Sequence, residues 1–249
     1  MTLYVGLLET GSLDAELQVS LWTRVAPIHE QFLKNDGEAA AAYLRVLHVD
    51  PSNLDAANAL EALYLRTESY TNLVDIVLHK VEMVHGVDDK KALCFKAAQI
   101  YEEVLDNPEK AIEVFRRVLA IDENDRTSID SLERLYIRLS QWENLKDVYA
   151  KKAELAATVD EKKEIYYVLG QVYDLELKDK ARAIETYSTI LEIDPEDRHA
   201  ITALDRLFGE TGRWYDLLQV LEREVDLSQA TSETVGLKYR IGQLWEREL

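Results

Sequence analysis

The 249-residue chain carries 47 acidic side chains against 29 Lys and Arg, a formal net charge of −18. That balance denies it the basic footprint needed for nucleic acid and disfavours an anionic membrane surface. Although 47% of the residues are hydrophobic, no apolar run approaches the roughly 18 residues of a membrane span, and nine Gly and four Pro are too few for a sheet protein of this size.

From the N-terminus, Met1 to Thr10 lacks a basic flank and a cleavage-site pattern, so it does not read as a signal peptide. Apolar spacings of three and four then predict helices over 13–33, 37–49, 54–66, 70–84, 88–105 and 108–121. The series continues over 126–138, 142–157, 160–177, 180–193, 198–211, 214–227 and 232–249. Asn35, Asn53, Asn107, Asp125, Asp179 and Asp197 stand just before helical stretches, where a side-chain oxygen caps orphan amides. Pro108 falls at a first helical position, where its missing N–H costs nothing, and Pro51 and Pro195 end the helices before them.

These elements repeat. Asp50, Asp122 and Asp194 are 72 residues apart, as are Tyr70, Trp142 and Trp214. Tyr101, Tyr173 and Trp245 keep the same spacing, with His29 one period earlier. Leu60, Leu132 and Leu204 share a column; so do Leu63, Leu135 and Leu207, and Tyr64, Tyr136 and Phe208, all on one helical face. Each period holds four helices, or two hairpins. A hairpin cannot bury its apolar face alone, so neighbours must stack into one elongated core.

Half a period is close to the 34-residue length of the tetratricopeptide repeat, and the segment from Arg198, RHAITALDRLFGETGRWYDLLQVLEREVDL, resembles one such repeat without gaps. Leu204 matches the family's leucine, Phe208 its tyrosine, Gly212 its turn glycine and Trp214 its turn aromatic. Trp22, Cys94 and Tyr166 fall in its tryptophan column, and Ala26, Ala98, Gly170 and Gly242 in its small-residue column. Ala111 and Ala183 reach its alanine column after one extra loop residue is allowed. Half of the repeats depart: Glu61, Glu133 and Asp205 replace a small glycine, and Leu73, Leu145 and Leu217 replace an alanine. The resemblance implies an all-α fold, a right-handed α-solenoid of stacked helical hairpins. We expect a single solenoid over 1–249, with units of about 1–34 (partial), 35–106, 107–178 and 179–249, cut from a longer array. Apolar residues near the ends, such as Leu3, Leu7, Ile241, Leu244 and Trp245, are expected to associate end to end.

No phosphate loop, GxSxG or HExxH occurs, and the five histidines have no metal spacing, so no catalytic residue, cofactor or metal site is expected. Cys94, alone in an aromatic column, reads as a packed thiol, and a single cysteine fits a reducing, cytoplasmic setting. In the family, the fifth and ninth positions of each first helix face the ligand. The resemblance therefore implies a partner-binding ladder of Phe95 with Gln99, Tyr167 with Gln171, and Tyr239 with Gln243, and of Arg134 and Arg206 in the alternate hairpins. The expected function is a non-enzymatic scaffold that binds a protein segment, with basic flanks, along the concave surface. A structural spacer or self-assembly module, or an accessory segment of a larger enzyme, is the alternative.

Overall fold

The computed structural model describes residues 14–249, which form thirteen helices with no strand among the described residues. Expectations resting on Leu3 and Leu7, and on the helix start at residue 13, lie outside the described residues. The chain divides into two compact units, Met1–Ser128 and Ile129–Leu249.

In the first unit, α1 (Ala15–Pro27), α2 (Asp36–Val49), α3 (Leu54–Arg66), α4 (Tyr70–Met83), α5 (Val87–Gln99) and α6 (Pro108–Ile121) follow one another, each packed on the next. Short connections make the neighbours antiparallel hairpins. Leu60, Leu63, Leu73, Val46 and Val77 are wholly buried between them, each contributing about 1.5–3 kcal/mol of transfer free energy. The second unit begins within α7 (Arg126–Arg138) and continues through α8 (Trp142–Leu155), α9 (Val159–Gln171) and α10 (Lys180–Ile193). It closes with α11 (Arg198–Thr211), α12 (Trp214–Leu227) and α13 (Thr231–Arg247). Its core gathers Ile190, Ile201, Leu204, Leu207 and Leu221, with the half-buried Trp214 packed against it.

The caps follow the sequence. Asn35, Asn107 and Asp179 accept from the amides of Glu38, Lys110 and Arg182 at 3.2, 3.1 and 3.0 Å. Asn53, Asp125 and Asp197 do the same for Ala56, Ser128 and Ala200 at 3.0, 2.8 and 3.0 Å. Asp50, Asp122 and Asp194 end the preceding helices, and each carboxylate accepts an amide two residues on.

The extra residue of alternate hairpins lies not in a loop, as the repeat alignment placed it, but in the helix end. α1, α5 and α9 each finish in a π-helical turn, at Ile28–Phe32, Ile100–Val104 and Val172–Glu176, 72 residues apart. Every hairpin turn then passes through one left-handed residue: Lys34, Glu68, Asp106, Ser140, Lys178 and Gly212 all have positive φ. The backbone bonds Ser69 to Tyr64, Gln141 to Tyr136 and Arg213 to Phe208 close these turns as helix C-caps.

Candidate partner-binding surface

The first helices of the hairpins are α1, α3 and α5 in the first unit and α7, α9, α11 and α13 in the second. They carry the residues that the sequence singled out, and the structure treats them unequally. Phe95, on α5, is half-buried, with its ring tilted against Phe115 of α6 at 6.2 Å between centroids. Gln99 is exposed and donates to Glu103 at 2.9 Å. Tyr167, on α9, is half-buried; its hydroxyl donates to the Asp197 carboxylate and its ring meets His199 edge-on at 6.1 Å. Gln171 is exposed on the same helix. Tyr239, on α13, is 67% exposed, and its hydroxyl accepts from Gln243 at 3.0 Å. Arg134 is exposed on α7. Arg206, on α11, pairs with the buried Asp174 of the α9 end and with Glu210 at 3.0 Å.

Ion pairs cross-brace these helices in columns that a reading of apolar spacing passes over. Glu61, standing where the family has a small residue, accepts from Lys80 of α4 and Lys96 of α5, both at 2.5 Å. One period on, Glu133 is held by Lys152, the counterpart of Lys80. One further period on, Asp205 is held by Arg240 at 2.8 Å, the counterpart of Lys96. Each acidic departure from the repeat pattern thus brings its own cation, at sequence separations that helical periodicity does not scan. Burial works to raise the Glu61 carboxyl pKa, but the bonds and charges of Lys80 and Lys96 outweigh it and hold it below the usual carboxylate range.

A second column clamps the helix caps. Lys91 bridges Asp122 and Asp125 at 2.7 and 2.5 Å, and Lys163 bridges Asp194 and Asp197 at 2.7 and 3.1 Å, one period later. One period earlier the lysine column holds Val19 and the cap is the uncharged Asn53. There Ser52 and Asn53 donate to Asp50 instead, at 2.7 and 3.1 Å. Burial tends to raise the Asp197 carboxyl, but Tyr167, the Ala200 amide and Lys163 together lower it. Burial, followed by that same carboxylate, pushes the Tyr167 phenol up.

Lys91, Lys96, Lys163, Arg206 and Arg240 therefore reach this face already paired with acids. Cys94 is fully buried, and burial raises its thiol pKa, which keeps it a protonated packing group. Among the described residues, no group of three or more His, Cys, Asp or Glu is placed to hold a metal ion.

Two family models described as tetratricopeptide repeat match the chain, at residues 93–127 and 163–197. The match to the tetratricopeptide repeat is carried by these two stretches. The matched stretches run from α5 through α6 and from α9 through α10, two of the three hairpins whose first helices end in π turns. No curated protein matches it. Solved structures similar to it include MamA, at 18% identity over 84% of this chain and 91% of that one, TM-score 0.36. A tetratricopeptide repeat protein from Parabacteroides merdae ATCC 43184 is 12% identical over 92% and 88%, TM-score 0.35. YrrB, described as a TPR protein with an unusual peptide-binding site, is 14% identical over 95% and 97%, TM-score 0.30. Repeats of this kind are typically non-enzymatic and serve in general as protein-interaction scaffolds. Among the described residues no helix is long and apolar enough to cross a membrane.

Proposed function

We propose that this protein holds an extended or helical segment of a partner protein along the face built from its first helices, the concave surface in the family. The observation that carries the reading is Tyr239: a large aromatic, 67% exposed, with Gln243 one turn on to steady its hydroxyl. Tyr offers contact area at low conformational cost, and amides such as Gln171 and Gln243 satisfy a bound backbone. Within the second unit Tyr167 gives up part of its area to packing, so it acts as the floor of that surface and Tyr239 as its open contact; Phe95 is packed in the same way within the first unit. Arg206 meets a ligand carboxylate only in competition with Asp174 and Glu210. With Lys91, Lys96, Lys163, Arg206 and Arg240 engaged and a net charge of −18, the segment that fits carries neutral or basic side chains, drawn in by long-range attraction.

A photo-reactive phenylalanine analogue placed at Tyr239 tests the face against one at Tyr215, which is 69% exposed on the second helix α12. A partner polypeptide cross-linked from position 239 and not from 215, and lost on Gln171→Ala with Gln243→Ala, is the expected result. Cross-linking from position 215 alone places the site on the second helices. Cross-links only between copies of this chain make it a self-assembly module.

A further inference from the structure

The second helices build grooves of their own, apart from the first-helix face. In the first unit α2, α3 and α4 enclose a cavity of about 390 Å³, and in the second α10, α11 and α12 enclose one of about 380 Å³. The two are the same place in the repeat, two periods apart. Leu44, Leu47, His48 and Tyr64 of the first correspond to Ser188, Leu191, Glu192 and Phe208 of the second. Asn72, Asp75, Ile76 and His79 correspond to Asp216, Gln219, Val220 and Arg223. The repeat therefore accounts for the shape of the grooves, and both fall in the size range of pockets that take ligand groups, about 300–1,000 Å³.

It does not account for their chemistry. The second groove is lined by Glu192, Asp216, Arg213 and Arg223, and Arg213 and Asp216 satisfy each other at 2.6 Å. The first has lost that set. His48, Asn72 and His79 replace three of those charges, and Leu44, 48% exposed, replaces Ser188 at the rim. His79 is held at the edge by donating Nε2–H to the Pro51 carbonyl at 2.9 Å. Asp75 is the one carboxylate in the lining, it is exposed, and among the described residues it makes no ion pair.

We propose that the first-unit groove seats an amphipathic helix of a partner protein, with two apolar side chains one turn apart packed on Leu44, Leu47 and Ile76 and a Lys or Arg reaching Asp75. A trough walled by two helices accepts a third by ridges-into-grooves packing. An extended segment would lay backbone amides over Leu44, Leu47 and Ile76, which offer no acceptor, and would leave unsatisfied those that His48, Asn72 and Asp75 do not reach, whereas a helix satisfies its own amides. No Lys or Arg lines this groove to compete for Asp75 or to repel a cationic helix, and the net charge of −18 draws one in.

The test uses the full chain with isotope-labelled Leu, Val and Ile methyl groups and two synthetic helical peptides. One has leucines at i and i+4 with lysines elsewhere; the other replaces lysine by glutamate. The lysine peptide is expected to shift the methyl signals of Leu44, Leu47 and Ile76. The triple variant Leu44→Ser, Asp75→Gln, His79→Arg, which installs the second groove's side chains at exposed or half-buried positions, is expected to weaken binding by about tenfold or more with its melting temperature kept. Tyr239→Ala, in the other unit, is expected to leave this binding intact, which separates the groove from the first-helix face. Equal binding of the glutamate peptide, shifts centred on Leu191 and Val220, signals that move on dilution of the chain alone, or undiminished affinity of the triple variant would each overturn the proposal.

Discussion

A Cβ added to Gly170 would lie 2.6 Å from Cζ and 2.8 Å from Cε1 of the buried Tyr187 ring, closer than any carbon contact allows. Gly242 occupies the same column one period later, and a Cβ there meets nothing within 4 Å. The two glycines share a sequence role but not an environment. Gly→Ala inside a helix gains roughly 0.5–1 kcal/mol from propensity alone. Gly242→Ala should therefore raise the melting temperature. At Gly170 the same gain is opposed by overpacking against a ring that the core prevents from moving, at about 1–3 kcal/mol. Gly170→Ala should be destabilised in thermal melts, and equal shifts in the two variants would show that the Tyr187 contact yields. The small-residue column was legible in the sequence; which member bears a neighbour was not, because that depends on the next helix's side chain and not on the column itself.

Helix positions were readable because local chemistry fixes both ends of each element. Predicted and observed bounds agree within two residues at every described terminus, since cap oxygens and Asx turns sit at the junctions. The π turns were not readable: a wider backbone ladder is chosen by hydrogen bonding along the chain, and its only trace was one residue that did not fit the 34-residue register. The ion-pair columns were invisible for another reason, since Glu61 and Lys80 lie on different helices whose facing is known only once they pack. These columns show one place where the pattern breaks. Lys80 and Lys152 are followed, one period on, by Glu224. Burial first, then the charge of Asp205, raise the Glu224 carboxyl pKa, so its ionised form opposes folding above that raised pKa and the penalty is relieved as pH falls through it. Glu224→Lys should set a second cation beside Asp205 and recreate the arrangement of Lys80 and Lys96 around Glu61. We expect a gain of about 0.5–1 kcal/mol in chemical denaturation at neutral pH. A variant no more stable than the parent would mean that Arg240 alone already satisfies Asp205.

For the whole chain, the response to pH is set by the same clamps acting under a net charge of −18. Asp122, Asp125, Asp194 and Asp197 all have folded pKa values held below the ordinary range, by Lys91 and Lys163 and by amide or hydroxyl donors. A carboxyl depressed by folding contributes stability that is present above its unfolded pKa of about 4 and is lost as pH falls through the folded value. Lys91 and Lys163 are shifted the other way, upward, by the same pairs. Their contribution is present below the unfolded lysine value of about 10.4 and is lost only as pH rises through the folded value. Between roughly pH 5 and pH 10 these groups should leave stability flat, with a fall on the acid side. The chain supplies its own control in the first period, where Val19 and Asn53 replace the lysine and the aspartate yet the cap bond to Ala56 survives at 3.0 Å. Copying that period into the next, with Lys91→Val and Asp125→Asn, should keep the α7 cap while removing one clamp. Thermal melts from pH 7 to pH 3 should then show a smaller loss of stability than in the parent chain. If the acid-side fall is as steep in the variant as in the parent, the dependence arises from the overall carboxylate population, and the clamps serve only to set the register of one first helix on the next.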